Sequence, residues 1–182
     1  GKFMADPVKT LALNTKCTLD LFSLLDYGGS FLFISTSEVY SGLEKSPFNE
    51  AQIGTTNTDH QRGCYIEAKR CGEAICNAYA TKGFFAKSAR VALCYGPGTK
   101  RDDHRALNQF IQRALSDEMI SLQDMGNAKR TYCYVSDTVE ILWNILLHGT
   151  STIYNVGGHS RTTISELAKS IGNILDVPII FP

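Results

Sequence analysis

The chain has 182 residues, with 18 basic and 18 acidic side chains and no formal net charge, which excludes a broad electrostatic footprint for nucleic acid or an anionic membrane. Its 43% hydrophobic and 20% charged residues describe an ordinary globular chain of domain size rather than a disordered or fibrous one. No apolar run approaches the roughly 18 residues of a membrane span, and no signal peptide is recognisable, so a cytoplasmic protein without membrane contact is expected.

In chain order, a helix is expected over 7–25, started by Asp6-Pro7 and ended by the turn Asp26-Tyr27-Gly28-Gly29-Ser30. A strand follows over 31–35. Residues 41–61 are rich in Gly, Asn, Thr and charge, and form a connection longer than most. A second helix spans 63–82, with Ala68, Ala74, Ile75, Ala78 and Tyr79 as its apolar stripe. Then come a strand over 89–94, a charged loop over 99–104 and a helix over 105–115. A short strand at 120–123 and an extended segment at 130–135 lead to a helix over 137–148, capped by Ser136 or Asp137. The chain continues with a strand at 152–156, a helix from Thr163 to about Leu175 and a final strand at 177–181. Strands and helices alternate, which makes the class α/β.

Six cysteines are present. None forms Cys-x-x-Cys, and most sit in apolar patterns, so they read as buried, reduced thiols rather than a disulfide framework or zinc site. Cys64 and Cys94 stand near the candidate chemistry, though packing explains them as well. The four histidines show no metal-ligand spacing, and no metal is expected.

The stretch that carries chemistry is Gly63-Cys64-Tyr65-Ile66-Glu67-Ala68-Lys69-Arg70. Tyr65 and Lys69, four apart on a helix, fall on one face one turn apart. A lysine ammonium there is expected to favour the phenolate and make Tyr65 a usable base near pH 7. Alone, the pair reads more readily as a half-buried Tyr and a solvated Lys, because a bare Tyr-x-x-x-Lys occurs often by chance. Its setting is more specific. Phe31-Leu32-Phe33-Ile34-Ser35-Thr36-Ser37-Glu38-Val39-Tyr40 lies upstream, and Ala89-Arg90-Val91-Ala92-Leu93-Cys94-Tyr95-Gly96-Pro97-Gly98 downstream. Each is an apolar run ending in polar or Gly/Pro residues, as a buried parallel strand does where its carboxyl end opens on a site.

Four blocks in this order resemble the extended short-chain dehydrogenase/reductases of the NAD-dependent epimerase/dehydratase family. They are Ser35 to Tyr40, Tyr65-x-x-x-Lys69, Arg90 to Pro97, and Arg130-Thr131-Tyr132 running into Val135-Ser136-Asp137. Thr-Ser-Glu-Val-Tyr followed by Cys-Tyr-x-Glu-x-Lys-Arg is most similar to the UDP-glucuronate decarboxylases. The resemblance implies a Rossmann-like parallel sheet, here lacking its first βαβ half, with a small C-terminal α/β substrate-binding portion. Residues 1–98 would be the partial NAD-binding part and 99–182 the incomplete nucleotide-sugar-binding part. No glycine-rich dinucleotide motif occurs, and Gly28-Gly29 precedes a strand instead of following one.

By the same resemblance the cofactor is NAD and the substrate a nucleotide sugar, a UDP-sugar above all, oxidised at C4 to a keto intermediate. Tyr65 would be the base, and Lys69 would hold it and the nicotinamide ribose. Thr36 would bond the C4 oxygen. Ser35 would sit by the cofactor, and Glu38 and Ser37 would flank the reacting carbons. A carboxylate at 38 argues against a plain 4-epimerase. Ser37, where dehydratases usually carry Asp, argues against a 4,6-dehydratase, although both remain alternatives. Arg130 and Arg105 would hold the diphosphate, or else be solvated surface charges. Leu93 stands where the family commonly has a substrate-binding Asn, which puts the sugar and the activity in doubt. A homodimer through 7–25 and 63–82 is implied. The reading from another class is a truncated, non-catalytic sugar-nucleotide-binding fragment.

Overall fold

Phe33 and Leu32 are neighbours in sequence but serve two different cores, and that alternation organises the first half of the molecule. The computed structural model describes residues 2–44 and 47–182; Lys45 and Ser46 of the expected 41–61 connection lie outside the described residues. The described residues divide into two compact units, Gly1–Ala92 with Ser136–Val156, and Leu93–Val135 with Gly157–Pro182.

The first unit is built on a parallel three-stranded sheet, β1 (Ser30–Thr36), β2 (Phe85–Val91) and β7 (Ile153–Val156), in the order β1-β2-β7. Side chains alternate across a strand, so one face takes Phe31, Phe33 and Ala86 and the other Leu32, Ala89 and Val91. The first face is covered by α4 (Gly63–Ala80), α2 (Pro7–Asn14) and α3 (Lys16–Phe22). Phe22, 1% exposed, is the centre of that core. Its ring stacks on Tyr79 at 3.9 Å and tilts against Phe31 at 4.3 Å. The second face is covered by α6 (Val135–His148), through Ile141, Leu142 and Ile145. Helices lie on both faces, as in parallel sheets, although Ile34 on the second face stays 44% exposed. Gly72 sits mid-helix, where it costs about 1 kcal/mol relative to Ala. It is needed because a Cβ there would enter the Phe33 ring. This close approach is of α4 to its own sheet.

The expected helix over 7–25 is two helices with a break at Thr15, preceded by a short α1 (Lys2–Ala5). Asp6 caps the Lys9 amide at 2.9 Å, and Pro7 stands at the helix start. The break has a local cause. The hydroxyls of Thr10, Thr15 and Thr18 donate to the carbonyls of Asp6, Leu11 and Asn14 at 2.8–3.0 Å, and such back-bonding bends helices.

The strand expected at 89–94 begins four residues earlier and stops at Val91; Leu93–Tyr95 is a separate strand, β3, in the other unit. Lys87 and Ser88 hid its start, since both are polar residues buried in the strand. Lys87 is accommodated because its ammonium donates to the Leu146 carbonyl at 3.0 Å, in the last turn of α6. The α6 helix starts at Val135, before the expected caps, and Ser136 bonds the Asp137 carboxylate at 3.0 Å instead of a backbone amide. Residues 136–156 go with the first unit because β7 pairs with β2, so the units do not divide at 98/99.

The second unit has three two-stranded pairs. β3 lies parallel to β6 (Tyr132–Tyr134), β4 (Ile120–Ser121) parallel to β9 (Ile179–Ile180), and β5 (Lys129–Arg130) antiparallel to β8 (Thr162–Thr163). α5 (Ala106–Ser116) and α7 (Ile164–Leu175) pack together over Phe110, Ile120, Leu167 and Ile171. Thr163 and Glu166 form a capping box at the start of α7.

Candidate active site

The carboxyl end of β1 turns directly into a 3-10 helix, η1 (Ser37–Tyr40). Thr36 makes that turn, its hydroxyl accepting the Glu38 amide at 3.3 Å. Across from it, in the first turn of α4, the Tyr65 hydroxyl shares a hydrogen bond with the Thr36 hydroxyl. Lys69, one turn on, donates to the Ile34 carbonyl at 2.8 Å, with its nitrogen 4.9 Å from the centre of the Phe33 ring and 6.0 Å from that of Tyr65. Tyr65, Lys69 and Thr36 are therefore brought together by one strand end and one helix face.

The electrostatics differ from the expectation. Burial pushes the Tyr65 phenol above its ordinary value; the Thr36 hydrogen bond and the Arg62 charge oppose this, and Glu38 adds to it. Burial also lowers the Lys69 ammonium. Lys69 does not draw Tyr65 down here, because its proton-bearing nitrogen is directed at a backbone carbonyl and not at the phenol. Tyr65 is joined to a second hydroxyl, that of Thr36, through which a proton can be passed on.

Glu38 is paired with Arg62, the residue before α4. Arg62 Nε donates to one carboxylate oxygen at 2.7 Å and its terminal nitrogen to the other. Arg62 escaped the sequence reading; a basic residue three before Tyr65 was the available signal. Ser37 is exposed at the start of the 3-10 turn. Ser35 is buried, and its hydroxyl donates to Glu73 Oε1 at 2.5 Å. Its one donor is thereby committed to a buried carboxylate.

The second unit holds a pocket of about 260 Å³. Leu93, Arg105 and Arg130 all line it, together with Cys94, Asn108 and Tyr132. Arg105 stands at the N-terminus of α5 and is clamped by the Asp103 carboxylate at 2.5–3.0 Å while donating to the Cys94 carbonyl at 3.1 Å. Arg130 is exposed and donates to the Lys129 carbonyl at 2.8 Å. Burial raises the Tyr132 phenol, with Arg130 and Arg105 holding it back. Two guanidinium groups, an amide and aromatic walls suit a planar ring carrying phosphates. Tyr132 stands in the Arg130-Thr131-Tyr132 block but was given no role there, and Asn108 escaped the sequence reading because it stands in no recognisable motif.

Among the described residues no group of three or more His, Cys, Asp or Glu could hold a metal ion, and no helix is long and apolar enough to cross a membrane. All six cysteines are free thiols. Only Cys76 and Cys133 are buried; Cys71 is exposed, against the expectation of burial.

A parallel α/β sheet with a Tyr-Thr-Lys cluster at a strand end defines a Rossmann-like protein of the short-chain dehydrogenase type. The chain belongs to the NAD-dependent epimerase/dehydratase family, whose model matches residues 1–157. It is 35% identical over 175 residues to UDP-glucuronic acid decarboxylase 1 of Danio rerio, covering 95% of this chain and 42% of that protein. It is 34% identical to UDP-glucuronic acid decarboxylase 6 of Arabidopsis thaliana, covering 93% and 50%. The chain thus spans about half the length of these relatives. Among solved structures, the UDP-glucose 4-epimerase of Thermotoga maritima superposes with a TM-score of 0.82 at 23% identity, covering 99% of this chain and 60% of that one; this likeness speaks for the fold.

Proposed function

We propose that this chain carries out NAD-dependent oxidation of a nucleotide sugar at C4, with UDP-glucuronate as substrate and loss of its carboxylate as the outcome. The observation that carries the reading is the Thr36–Tyr65 hydroxyl pair beside Lys69 at the end of a parallel strand. The decarboxylase relatives support the choice of substrate.

Bound NAD would supply a hydride acceptor, and its positive ring would favour the Tyr65 phenolate. Tyr65 and Lys69 fit such a group, since both face one helix side and Lys69 is held by the Ile34 carbonyl. Tyr65 takes the C4 hydroxyl proton, and Thr36 shares that hydrogen bond. The C4 carbonyl lies β to the carboxylate. The C5–C6 bond therefore breaks with its electron pair moving toward the C4 oxygen, where Thr36 and Tyr65 donate to the developing charge. Carbon dioxide leaves and C5 is reprotonated; Tyr65 then gives its proton back to the C4 oxygen as the hydride would return from the cofactor to C4, which leaves a UDP-pentose and no net oxidation. Glu38 is tied to Arg62, which suits positioning better than the C5 proton abstraction of a dehydratase. Arg105 and Arg130 would hold the diphosphate. The protein acts in the cytoplasm as a homodimer through the helices of 7–25 and 63–82; exposed Val8, Leu13, Leu19 and Leu21 on the first of these support a partner. Leu93, apolar on the pocket wall, favours the other reading, in which the chain binds sugar nucleotides without turnover.

Proton NMR of the chain with NAD and UDP-glucuronate tests this. The expected product is a UDP-pentose, with Tyr65→Phe slower by about 10²-fold or more. A 4-epimer or a 4-keto-6-deoxy sugar would select the neighbouring chemistries. Absence of turnover despite NAD binding would favour the binding fragment.

A further inference from the structure

A buried ion pair in the first unit joins three pieces of chain around Tyr65. Glu73 lies two turns after Tyr65 and one after Lys69, on their face of α4. Arg90 lies on β2, and the two side chains are 4% and 2% exposed. Arg90 gives its Nε and one terminal nitrogen to the Glu73 carboxylate at 2.7–3.2 Å. Its other terminal nitrogen donates elsewhere, to the Tyr40 hydroxyl at 2.8 Å and to the carbonyls of Glu50 and Gln52 at 3.1 and 3.0 Å. The guanidinium also sits 4.9 Å from the Tyr40 ring centre. The Tyr40 hydroxyl donates to Asn155 Oδ1 at 2.7 Å. Asn155 in turn donates to the Phe48 carbonyl at 3.1 Å and, from its backbone, to the Glu50 carboxylate at 2.9 Å.

A buried ion pair is by itself weak evidence of stabilisation, because apolar residues often do as well. Arg90 does what an apolar residue cannot. Its planar fork faces a helix on one side and Tyr40, Glu50 and Gln52 on the other. Tyr40 closes the 3-10 turn that bears Glu38 and follows Thr36. The connection then returns to that turn, with the Gly54 amide donating to the Val39 carbonyl at 2.8 Å. Gly54 is glycine because a Cβ would strike the Tyr40 and Ser41 backbone. A long connection without regular structure is costly to order, and these bonds are what order it.

We propose that Arg90 is a positioning residue for the Tyr65 site. Through Glu73, Tyr40 and the two carbonyls it fixes the 3-10 turn and segment 48–54 against the helix face of Tyr65 and Lys69. Its effect on catalysis rests on the reading of Tyr65 given above; its hold on the turn does not.

Two variants of the full chain test it. Arg90→Lys keeps a positive charge at Glu73 and loses the fork. Tyr40→Phe keeps the stack on Phe48 and removes the hydroxyl between Arg90 and Asn155, so it serves even where Arg90→Lys folds poorly. Hydrogen exchange is expected to rise about tenfold at Gln52 and Gly54 while the β1 and β2 amides stay protected. The ¹³Cζ resonance of Tyr65, assigned with Tyr65→Phe, is expected to shift in both variants. Where turnover is measured, kcat falls while KM for NAD holds. Unchanged exchange at Gln52 and Gly54 would overturn the proposal. So would faster exchange throughout the sheet with an unmoved Tyr65 resonance, which is what a purely structural residue would give. An inactive wild type would count against the proposed function alone, since exchange and resonance still decide Arg90.

Discussion

The two units carry charge in opposite ways. In the first, Arg90, Glu73, Ser35 and Thr36 are all buried and bonded to one another or to the backbone, and Tyr65 is raised by burial. In the second, Arg130 is exposed at a pocket rim and Arg105 is held by a carboxylate that is itself on the surface side of a loop. Low dielectric and fixed dipoles suit proton transfer, where geometry decides the rate. Solvated guanidinium groups suit capture of a phosphate, where long reach and planar pairing matter more than rigidity. Under the proposed function, chemistry and grip fall to separate cores, and that division can be broken in a graded way.

The largest effect is expected from Phe22→Ala. Removing a ring 1% exposed, stacked on Tyr79, should cost about 3–5 kcal/mol. Native-state hydrogen exchange should show that loss in α4 and β1 and spare α5 and α7. Equal loss in both would mean that the units do not have independent cores. A smaller effect is expected from Leu93→Asn. Placing an amide on the pocket wall should tighten UDP about threefold, read by calorimetry, as one added hydrogen bond would. No change would mean that this wall does not meet the ligand. The smallest concerns pH. Arg105 holds the Asp103 carboxyl below the usual carboxylate range. Its folded pKa is depressed, so its contribution is present above the unfolded value near pH 4 and fades as pH falls through the folded one. Arg105 is about half exposed while Asp103 is mostly covered, and solvent screening of the guanidinium keeps the contribution slight. Melting temperature should fall a little between about pH 5 and 3, and less so in Asp103→Asn.

Much of the first site was legible in sequence because it is local. Tyr65 and Lys69 share a helix turn, and Thr36 ends an apolar strand, so period and position suffice. The Arg90–Glu73–Tyr40 network was not, because its partners are 17 and 50 residues apart and no pattern of spacing announces them. The start of β2 was lost for a related reason. Lys87 reads as a surface residue until its partner in α6 is known, and Ser88 is buried without a hydrogen-bond partner for its hydroxyl among the described residues. The sign of the Tyr65 shift was misjudged because spacing says that a lysine is near, not where its nitrogen points. The second unit showed its arginines and Leu93 but not the β5–β8 pair, whose two-residue strands are too short for any alternation to register.

The measurement that tests the division most directly is a pair of calorimetric titrations, with NAD and with UDP, on the wild type, Lys69→Ala and Arg130→Ala. The account predicts that Lys69→Ala weakens NAD by about tenfold or more and leaves UDP within about twofold, and that Arg130→Ala does the reverse. Equal weakening of both ligands by either variant, or no NAD binding by a wild type that binds UDP, would contradict it.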